Sequence, residues 1–260
     1  MEDLDRSRVR PGVEEAQLAD LMALGLDWDG PVVRQSGRME LYEEAIARLD
    51  ADGVLYPCYY TRAEIRAAAS APHGIPASDR YPGTCRELTV AQRAKREASG
   101  RPPALRVRSQ GARIAFEDRL LGRIEEEVDD FVVRRSDGIP AYQLAVVVDD
   151  AAQGIGEVVR SAPLTDSTPR QILLSRLLGL PGPRYAHVPL GPDRRRLAKR
   201  HGAVTLADRG EGPDEVRAWM ARTLGLARVG ETLSPDDLIS RFAPERLPRE
   251  PTIWSPETAV

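Results

Sequence analysis

The order of sequence patterns between residues 154 and 190 constrains the fold of this chain more than any other feature. The string GIGEVVR predicts one strand, and RYAHVPL predicts another. Between them, Thr168 is placed as the N-cap of a helix, with Pro169 at the first helical position and a stop at Gly179. Because strand, helix and strand in this order form a βαβ unit, the sequence predicts the α/β class with a parallel sheet.

A second apolar run precedes this unit. Residues 145–150 read AVVVDD, almost continuously apolar and then ending in two aspartates. We expect a buried strand of a parallel sheet whose carboxyl end carries part of a functional site. The short runs LRVR, ARIAFED and FVVRR, which follow residue 104, predict three further strands.

Helices are predicted on either side of these strands, where apolar residues recur at helical spacing. The predicted amphipathic helices cover residues 13–24, residues 39–49, PDEVRAWMARTLG and SPDDLISRF. The stretch from Ser70 to Gly83 is rich in Pro, Gly, Ser and Ala and predicts a long loop. The sequence therefore predicts an α/β body, an inserted irregular segment and a helical C-terminal region.

Composition excludes several classes of protein. The chain carries 37 Lys plus Arg against 40 Asp plus Glu, a net charge of −3, which excludes a polybasic protein that binds phosphate over its whole surface. It contains no apolar run of about 18 residues and no apolar signal segment at its start, so neither a membrane span nor secretion is expected. Two cysteines cannot build a disulfide framework, and a cytoplasmic location is expected.

Lysine is rare in this sequence, which makes its position informative. The chain has only two lysines, Lys95 and Lys199, and Lys199 lies within the basic string RRRLAKRHG. A loop of this kind is suited to stabilising the negative charge of a phosphoryl group in a transition state. It could also bind a nucleic-acid backbone, or it could be an ordinary solvated charged loop.

The two cysteines stand in related patterns, Cys58-x-Tyr60 and Tyr81-x₃-Cys85. Pairs of closely spaced ligands are typical of a structural zinc site, and His73 lies between the pairs. Only two thiolates are available, however, and tyrosine is an unusual zinc ligand. Two buried, unpaired cysteines are the alternative.

Three other residues are candidates for binding a charged small molecule. Glu2 could hold an ammonium group, or it could be part of an unstructured terminus. Arg160, near the end of a predicted strand, could bind a carboxylate through two hydrogen bonds. Tyr142 precedes the AVVVDD run, and for both Tyr142 and Arg160 a structural role is the alternative.

Six segments, in order, resemble the catalytic core of the class I glutamyl-tRNA synthetases. They cover Glu2–Arg8, Pro140–Asp150, Gly154–Arg160, Asp166–Gln171, Tyr185–Leu190 and Leu197–Ala203. The resemblance spans essentially the whole chain. The Cys/Tyr insertion and the short C-terminal region are most similar to the short paralogues of that family, which attach glutamate to the queuosine base of tRNA(Asp).

The resemblance implies a Rossmann-like catalytic core that uses ATP and Mg²⁺ to activate L-glutamate before its transfer to tRNA(Asp). It also implies a monomer and four segments: 1–54 and 105–203 as the two Rossmann halves, 55–104 as an insertion, and 204–260 as a helical region that contacts the tRNA stem. On this basis ATP would contact Lys199, Arg196 and Arg200. Glutamate would contact Glu2, Tyr142 and Arg160, and the family's zinc positions would be Cys58, Tyr60, Tyr81 and Cys85.

Two departures from the family pattern leave alternatives open. Tyr60 stands where the zinc-bearing members have a cysteine, and the loss of one thiolate should weaken or abolish zinc binding. In addition, no string like GPLHLG, the family's ATP-binding signature of the HIGH type, occurs in the chain, so its first strand–helix unit is expected to be absent. The alternatives are therefore an inactive remnant of the same fold or a fragment of a glutamyl-tRNA synthetase.

Overall fold

A computed structural model describes residues 1–5, 9–60, 64, 81–188 and 212–248. Its helices are α1 Val13–Ala23, α2 Met39–Ala51, α3 Val90–Glu97, α4 Tyr142–Ala152, α5 Thr168–Leu178, α6 Pro213–Thr223 and α7 Pro235–Arg241. Its strands are β1 Leu55–Cys58, β2 Ala104–Val107, β3 Arg113–Asp118, β4 Gly122–Glu127, β5 Phe131–Arg134, β6 Glu157–Ser161 and β7 Arg184–Val188. No helix within these ranges is long and apolar enough to cross a membrane.

The strands form two sheets. The first is antiparallel with the order β1-β2-β5, and the second has the order β4-β3-β7-β6. In the second sheet β6 and β7 are parallel, with Arg160 opposite His187, and the connection between them is α5. The predicted βαβ unit and the α/β class are therefore confirmed.

One apolar core joins the helices to the strands. Leu49 of α2, Leu144 of α4 and Leu174 of α5 are fully buried, as are Val107 and Val133 of the first sheet. A smaller, separate cluster lies at the insertion, where β1 leads out of the body and β2 returns to it. Its buried members are Tyr56, Cys58, Tyr59, Tyr81 and Cys85.

The AVVVDD run is not a strand, and that prediction is wrong. It lies in α4, where Leu144, Val147 and Val148 are buried. Their spacing of i, i+3 and i+4 places them on one face of a helix that packs into the core. The opposite face of α4 is also partly covered, so the helix has few polar residues there and its sequence is almost continuously apolar. A continuous run of β-branched valines is also typical of a buried strand, which explains the wrong prediction.

Two smaller differences concern α5 and β4. Helix α5 begins at Thr168, one residue earlier than predicted, with Ser167 as its N-cap and Gly179 in the left-handed conformation at its end. Strand β4 has the sequence GRIEEE and no alternating apolar face, since it lies exposed at the edge of the second sheet. Edge strands of this composition carry too little periodicity to be recognised from the sequence.

Candidate active site

Arg160 of β6 is held by two residues on neighbouring elements. Its Nε donates a hydrogen bond to His187 Nε2 on β7 at 3.1 Å. Its Nη2 donates to the Thr168 hydroxyl at the start of α5 at 2.7 Å. These two atoms form one side of the planar guanidinium. At the other edge, formed by Nη1 and Nη2, no further hydrogen-bond partner is found among the described residues. Neither anchoring residue is a carboxylate, and the positive charge of Arg160 is therefore not neutralised by them.

Tyr185 lies against Arg160, and Tyr142 lies near Tyr185. The guanidinium carbon lies 5.3 Å from the ring centroid of Tyr185, which stacks against His187 with a centroid distance of 6.1 Å. Burial raises the pKa of Tyr185 to about 12, and the charges of Arg160, Asp150 and Tyr142 all act on it. Tyr142, the first residue of α4, is 39% exposed and so is accessible to a ligand.

The two aspartates of α4 have different surroundings. Asp149 is buried and accepts hydrogen bonds from Gln35 Nε2 at 2.9 Å, Arg38 Nε at 2.7 Å and the Tyr42 hydroxyl at 2.9 Å. It therefore ties the start of α2 to α4. The neighbouring carboxylate, Asp150, is half-buried and has no hydrogen-bond partner among the described residues.

The unpaired state of Asp150 is reflected in its pKa. Burial and the neighbouring charge of Asp149 raise this pKa to about 6, while Arg160 opposes the rise and Glu2 adds to it. Asp150, Arg160 and Glu2 thus lie close enough for their charges to interact. Sequence reasoning identified a pair of aspartates but could not tell which of them is free, because that depends on contacts with α2.

Glu2 is exposed on a segment that is fixed in place. The amino group of Met1 donates to the Val33 carbonyl at 2.6 Å, and the Gln35 amide donates to the Met1 carbonyl at 3.1 Å. This chain end is therefore paired with the segment that leads into α2 and is not frayed. Glu2 lies near enough to Asp150 for its charge to raise the pKa of that carboxyl group.

These residues together form a site with separated charges of both signs. Arg160 offers a free guanidinium edge, Asp150 and Glu2 offer carboxylates, and Tyr142 and Tyr185 provide aromatic surface. Such a site can bind a small molecule that carries both a carboxylate and an ammonium group. The three other predicted site residues, Lys199, Arg196 and Arg200, lie outside the described residues.

The insertion brings together three of the four predicted zinc positions. Cys58 Sγ lies 3.5 Å from the Tyr81 hydroxyl, and the Cys85 amide donates to that hydroxyl at 2.8 Å. Hydrogen bonds from Cys85 and Tyr81 and the positive charge of Arg106 outweigh burial and lower the pKa of Cys58. Hydrogen bonding to Cys58 and burial raise the pKa of Cys85, so that one thiol keeps its proton.

The fourth position, Tyr60, belongs to a different contact. Its hydroxyl accepts a hydrogen bond from Arg96 at 2.6 Å, and the Arg96 guanidinium lies 4.5 Å from its ring centroid. Within the cluster, the guanidinium of Arg106 lies 3.8 Å from the ring centroid of Tyr81 and adds positive charge.

This donor set does not fit zinc. A tetrahedral site needs four ligands, and here two thiols and one phenol stand beside a guanidinium. Across the described ranges, no three His, Cys, Asp or Glu side chains are grouped closely enough to hold a metal ion. The family's zinc positions are thus only partly brought together, and both cysteines are buried and form no disulfide.

Comparison with known proteins identifies relatives over nearly the whole chain. The family described as tRNA synthetases class I (E and Q), catalytic domain, matches residues 1–243. The Glutamyl-Q tRNA(Asp) synthetase of Nocardia farcinica is 56% identical over 258 residues, which cover 97% of this chain and 80% of that protein. The protein of the same name from Symbiobacterium thermophilum is 50% identical over 99% of this chain and 85% of its own length.

A solved structure has the same fold. The glutamate tRNA ligase of Elizabethkingia meningosepticum, crystallised with its amino acid, superimposes with a TM-score of 0.81 at 24% identity. The match covers all of this chain and 60% of that chain, so this chain spans about three fifths of the ligase.

Proposed function

The chain belongs to the class I tRNA synthetases of the glutamyl and glutaminyl group, and from this premise we propose that it is a ligase for glutamate and tRNA(Asp). In the proposed reaction, L-glutamate attacks the α-phosphate of ATP to form glutamyl-adenylate and pyrophosphate. The glutamyl group is then transferred to the queuosine base of tRNA(Asp), and AMP leaves. Because both ATP and tRNA are cytoplasmic molecules, we place the reaction in the cytoplasm.

The observation that carries this proposal is the Nη1/Nη2 edge of Arg160, which has no carboxylate partner within the described ranges. A guanidinium edge forms two charge-assisted hydrogen bonds with a carboxylate, so Arg160 is proposed to bind the side-chain carboxylate of glutamate. Asp150 and Glu2 are proposed to face its ammonium group, and Tyr142 to line the pocket. Glutamine is disfavoured because its neutral amide would present an NH₂ group to one of the two Arg160 donors.

The choice of tRNA(Asp) rests on the relatives named above, two of which are at least 50% identical to this chain over 97% or more of its length. By comparison, the glutamate tRNA ligase structures are only 24% identical and support the fold alone. These relatives favour neither alternative left open by the sequence, which were an inactive remnant of the same fold and a fragment of a glutamyl-tRNA synthetase.

The phosphates of ATP are proposed to contact the basic loop that contains Lys199, Arg196 and Arg200. Here the proposal rests on the sequence, since the loop lies outside the described residues. Positive side chains stabilise the charge that develops on the α-phosphate and the leaving pyrophosphate. Mg²⁺, when bound, would neutralise further phosphate charge.

Pyrophosphate exchange into ATP tests the first half of the proposal. We expect exchange that depends on glutamate and is much weaker with glutamine or aspartate. Replacement of Lys199 by Ala should slow adenylate formation more than it raises the KM for glutamate, because phosphate charge develops in the transition state. Exchange that glutamine supports as well as glutamate would contradict the assignment of Arg160.

A further inference from the structure

We propose that His187 is a positioning residue, which fixes the guanidinium of Arg160 so that its free edge is directed at the substrate carboxylate. This inference rests on the proposed function of Arg160 in binding glutamate. His187 itself does not contact the substrate, because its side chain is completely buried. The role follows from the hydrogen bonds on its two ring nitrogens.

Asp118 determines which ring nitrogen carries the proton. Its carboxylate lies 2.6 Å from His187 Nδ1 and also accepts hydrogen bonds from the backbone amides of His187, Leu120 and Leu121. Burial alone would raise the pKa of Asp118, but these hydrogen bonds outweigh it and hold the pKa below its usual value. An ionised carboxylate can only accept, so Nδ1 carries the proton.

The other nitrogen, Nε2, must then be an acceptor. It faces Arg160 Nε at 3.1 Å, and an arginine nitrogen can only donate. A protonated imidazole would place two donors against each other in a fully buried space. Burial also lowers the pKa of His187, although Asp118 acts in the opposite direction. The neutral ring with its proton on Nδ1 is therefore the form that satisfies both partners.

Thr168 supplies the second anchor on the same side of the guanidinium. Its hydroxyl accepts from Arg160 Nη2 at 2.7 Å and lies 3.1 Å from His187 Nε2. With Nε and Nη2 both held, rotation about the last bonds of the Arg160 side chain is prevented. The edge formed by Nη1 and Nη2 is thereby presented to the substrate before it binds, which reduces the ordering cost of binding.

A matched pair of substitutions separates this role from a general role in packing. In His187→Asn, the amide NH₂ group can replace Nδ1–H toward Asp118, but no atom reaches Arg160. In His187→Gln, the amide oxygen reaches the position of Nε2 and can accept from Arg160, while the contact with Asp118 is lost. Each variant thus keeps one of the two hydrogen bonds. Asn is one methylene smaller than Gln, so the melting temperature of each variant is measured to account for the packing difference.

Pyrophosphate exchange provides the first readout. For His187→Asn we expect the KM for glutamate to rise by roughly tenfold or more, because a hydrogen bond to a charged group is lost, while kcat changes much less. His187→Gln should restore most of the KM at a comparable melting temperature. Equal KM values in both variants, or a fall in kcat that tracks the melting temperature, would overturn the proposal.

Nitrogen NMR of the unaltered protein gives a readout that does not require activity. The chain has three histidines, so the ring signals of His187 can be assigned by substitution. We expect a protonated Nδ1, an unprotonated Nε2 and an Arg160 Nε–H that exchanges slowly with water. A protonated Nε2 would overturn the positioning role. Absence of glutamate-dependent exchange, together with the expected NMR pattern, would instead refute the proposed function alone.

Discussion

Replacement of Asp150 by Asn should make the protein more stable and a poorer enzyme. Asp150 is half-buried and lies beside the buried charge of Asp149, and its carboxylate has no hydrogen-bond partner among the described residues. Its carboxylate is therefore maintained at a cost to the folded state. The proposed function explains that cost, because an ammonium group of the substrate would neutralise the charge.

The size of the effect follows from the pKa. Burial and the charge of Asp149 raise the pKa of Asp150 from 3.8 to about 6. Each pKa unit corresponds to about 1.4 kcal/mol, so ionisation costs the folded state at most about 3 kcal/mol. Because the group is partly exposed and screened by water, we expect the Asn variant to gain about 1–2 kcal/mol at neutral pH.

The dependence on pH has a definite sign. The folded state binds the Asp150 proton more tightly than the unfolded chain does, so stability from this group is present below pH 4 and is lost as the pH rises toward 6. The stability difference between Asp150→Asn and the unaltered protein should therefore be near zero at pH 4 and largest above pH 6.

Urea unfolding at several pH values, combined with glutamate-dependent pyrophosphate exchange, measures both effects. We expect Asp150→Asn to raise the free energy of unfolding at pH 7 and to raise the KM for glutamate. A variant that is less stable than the unaltered protein at pH 7 would show that Asp150 has a stabilising partner and would refute the reasoning. Unchanged KM would remove Asp150 from the binding site.

Three further predictions concern neighbouring groups. Asp149→Ala should lower the free energy of unfolding by about 3 kcal/mol, because two buried donors, Gln35 and Tyr42, and the partly buried Arg38 lose their acceptor. A loss below about 1 kcal/mol in urea unfolding would contradict this. Arg160→Lys keeps the charge but not the paired donors, so the KM for glutamate should rise by about tenfold or more in pyrophosphate exchange, and an unchanged KM would argue against carboxylate binding. Purified protein should contain far less than one zinc per chain, and a chelator should leave its melting temperature unchanged. Tyr60→Cys, which adds a third thiol, serves as the comparison. Stoichiometric zinc in the unaltered protein would show that the present donors suffice to bind the metal.

Local patterns predicted most of the fold. Strands β6 and β7 and the helix between them follow from short apolar runs bounded by turn residues, and the boundaries differ by one to three residues. The error at α4 has a physical cause, since a helix covered on most sides loses the polar stripe that would identify it. The sequence also predicts Thr168 as the N-cap of α5. In the structure Ser167 is the N-cap, and the Thr168 hydroxyl accepts a hydrogen bond from Arg160 instead.

The candidate site was predictable only in part. Arg160, Tyr142 and Glu2 were identified from the family resemblance, but the roles of His187 and Asp118 depend on a pairing across 69 residues of sequence that no local pattern encodes. The different environments of Asp149 and Asp150 are likewise set by the distant residues Arg38 and Tyr42. At the insertion, Tyr60 in place of a cysteine predicts an incomplete set of zinc ligands, and the absence of bound zinc stays a prediction.

Transfer of labelled glutamate to purified tRNA is the most direct test of the proposed function. The full-length protein would be incubated with ATP, Mg²⁺, labelled L-glutamate and either tRNA(Asp) that contains queuosine, the same tRNA without queuosine, or tRNA(Glu). We expect label to enter only the queuosine-containing tRNA(Asp). Label in tRNA(Glu) would instead identify a glutamyl-tRNA synthetase activity, and label in none of the three would contradict the proposed function.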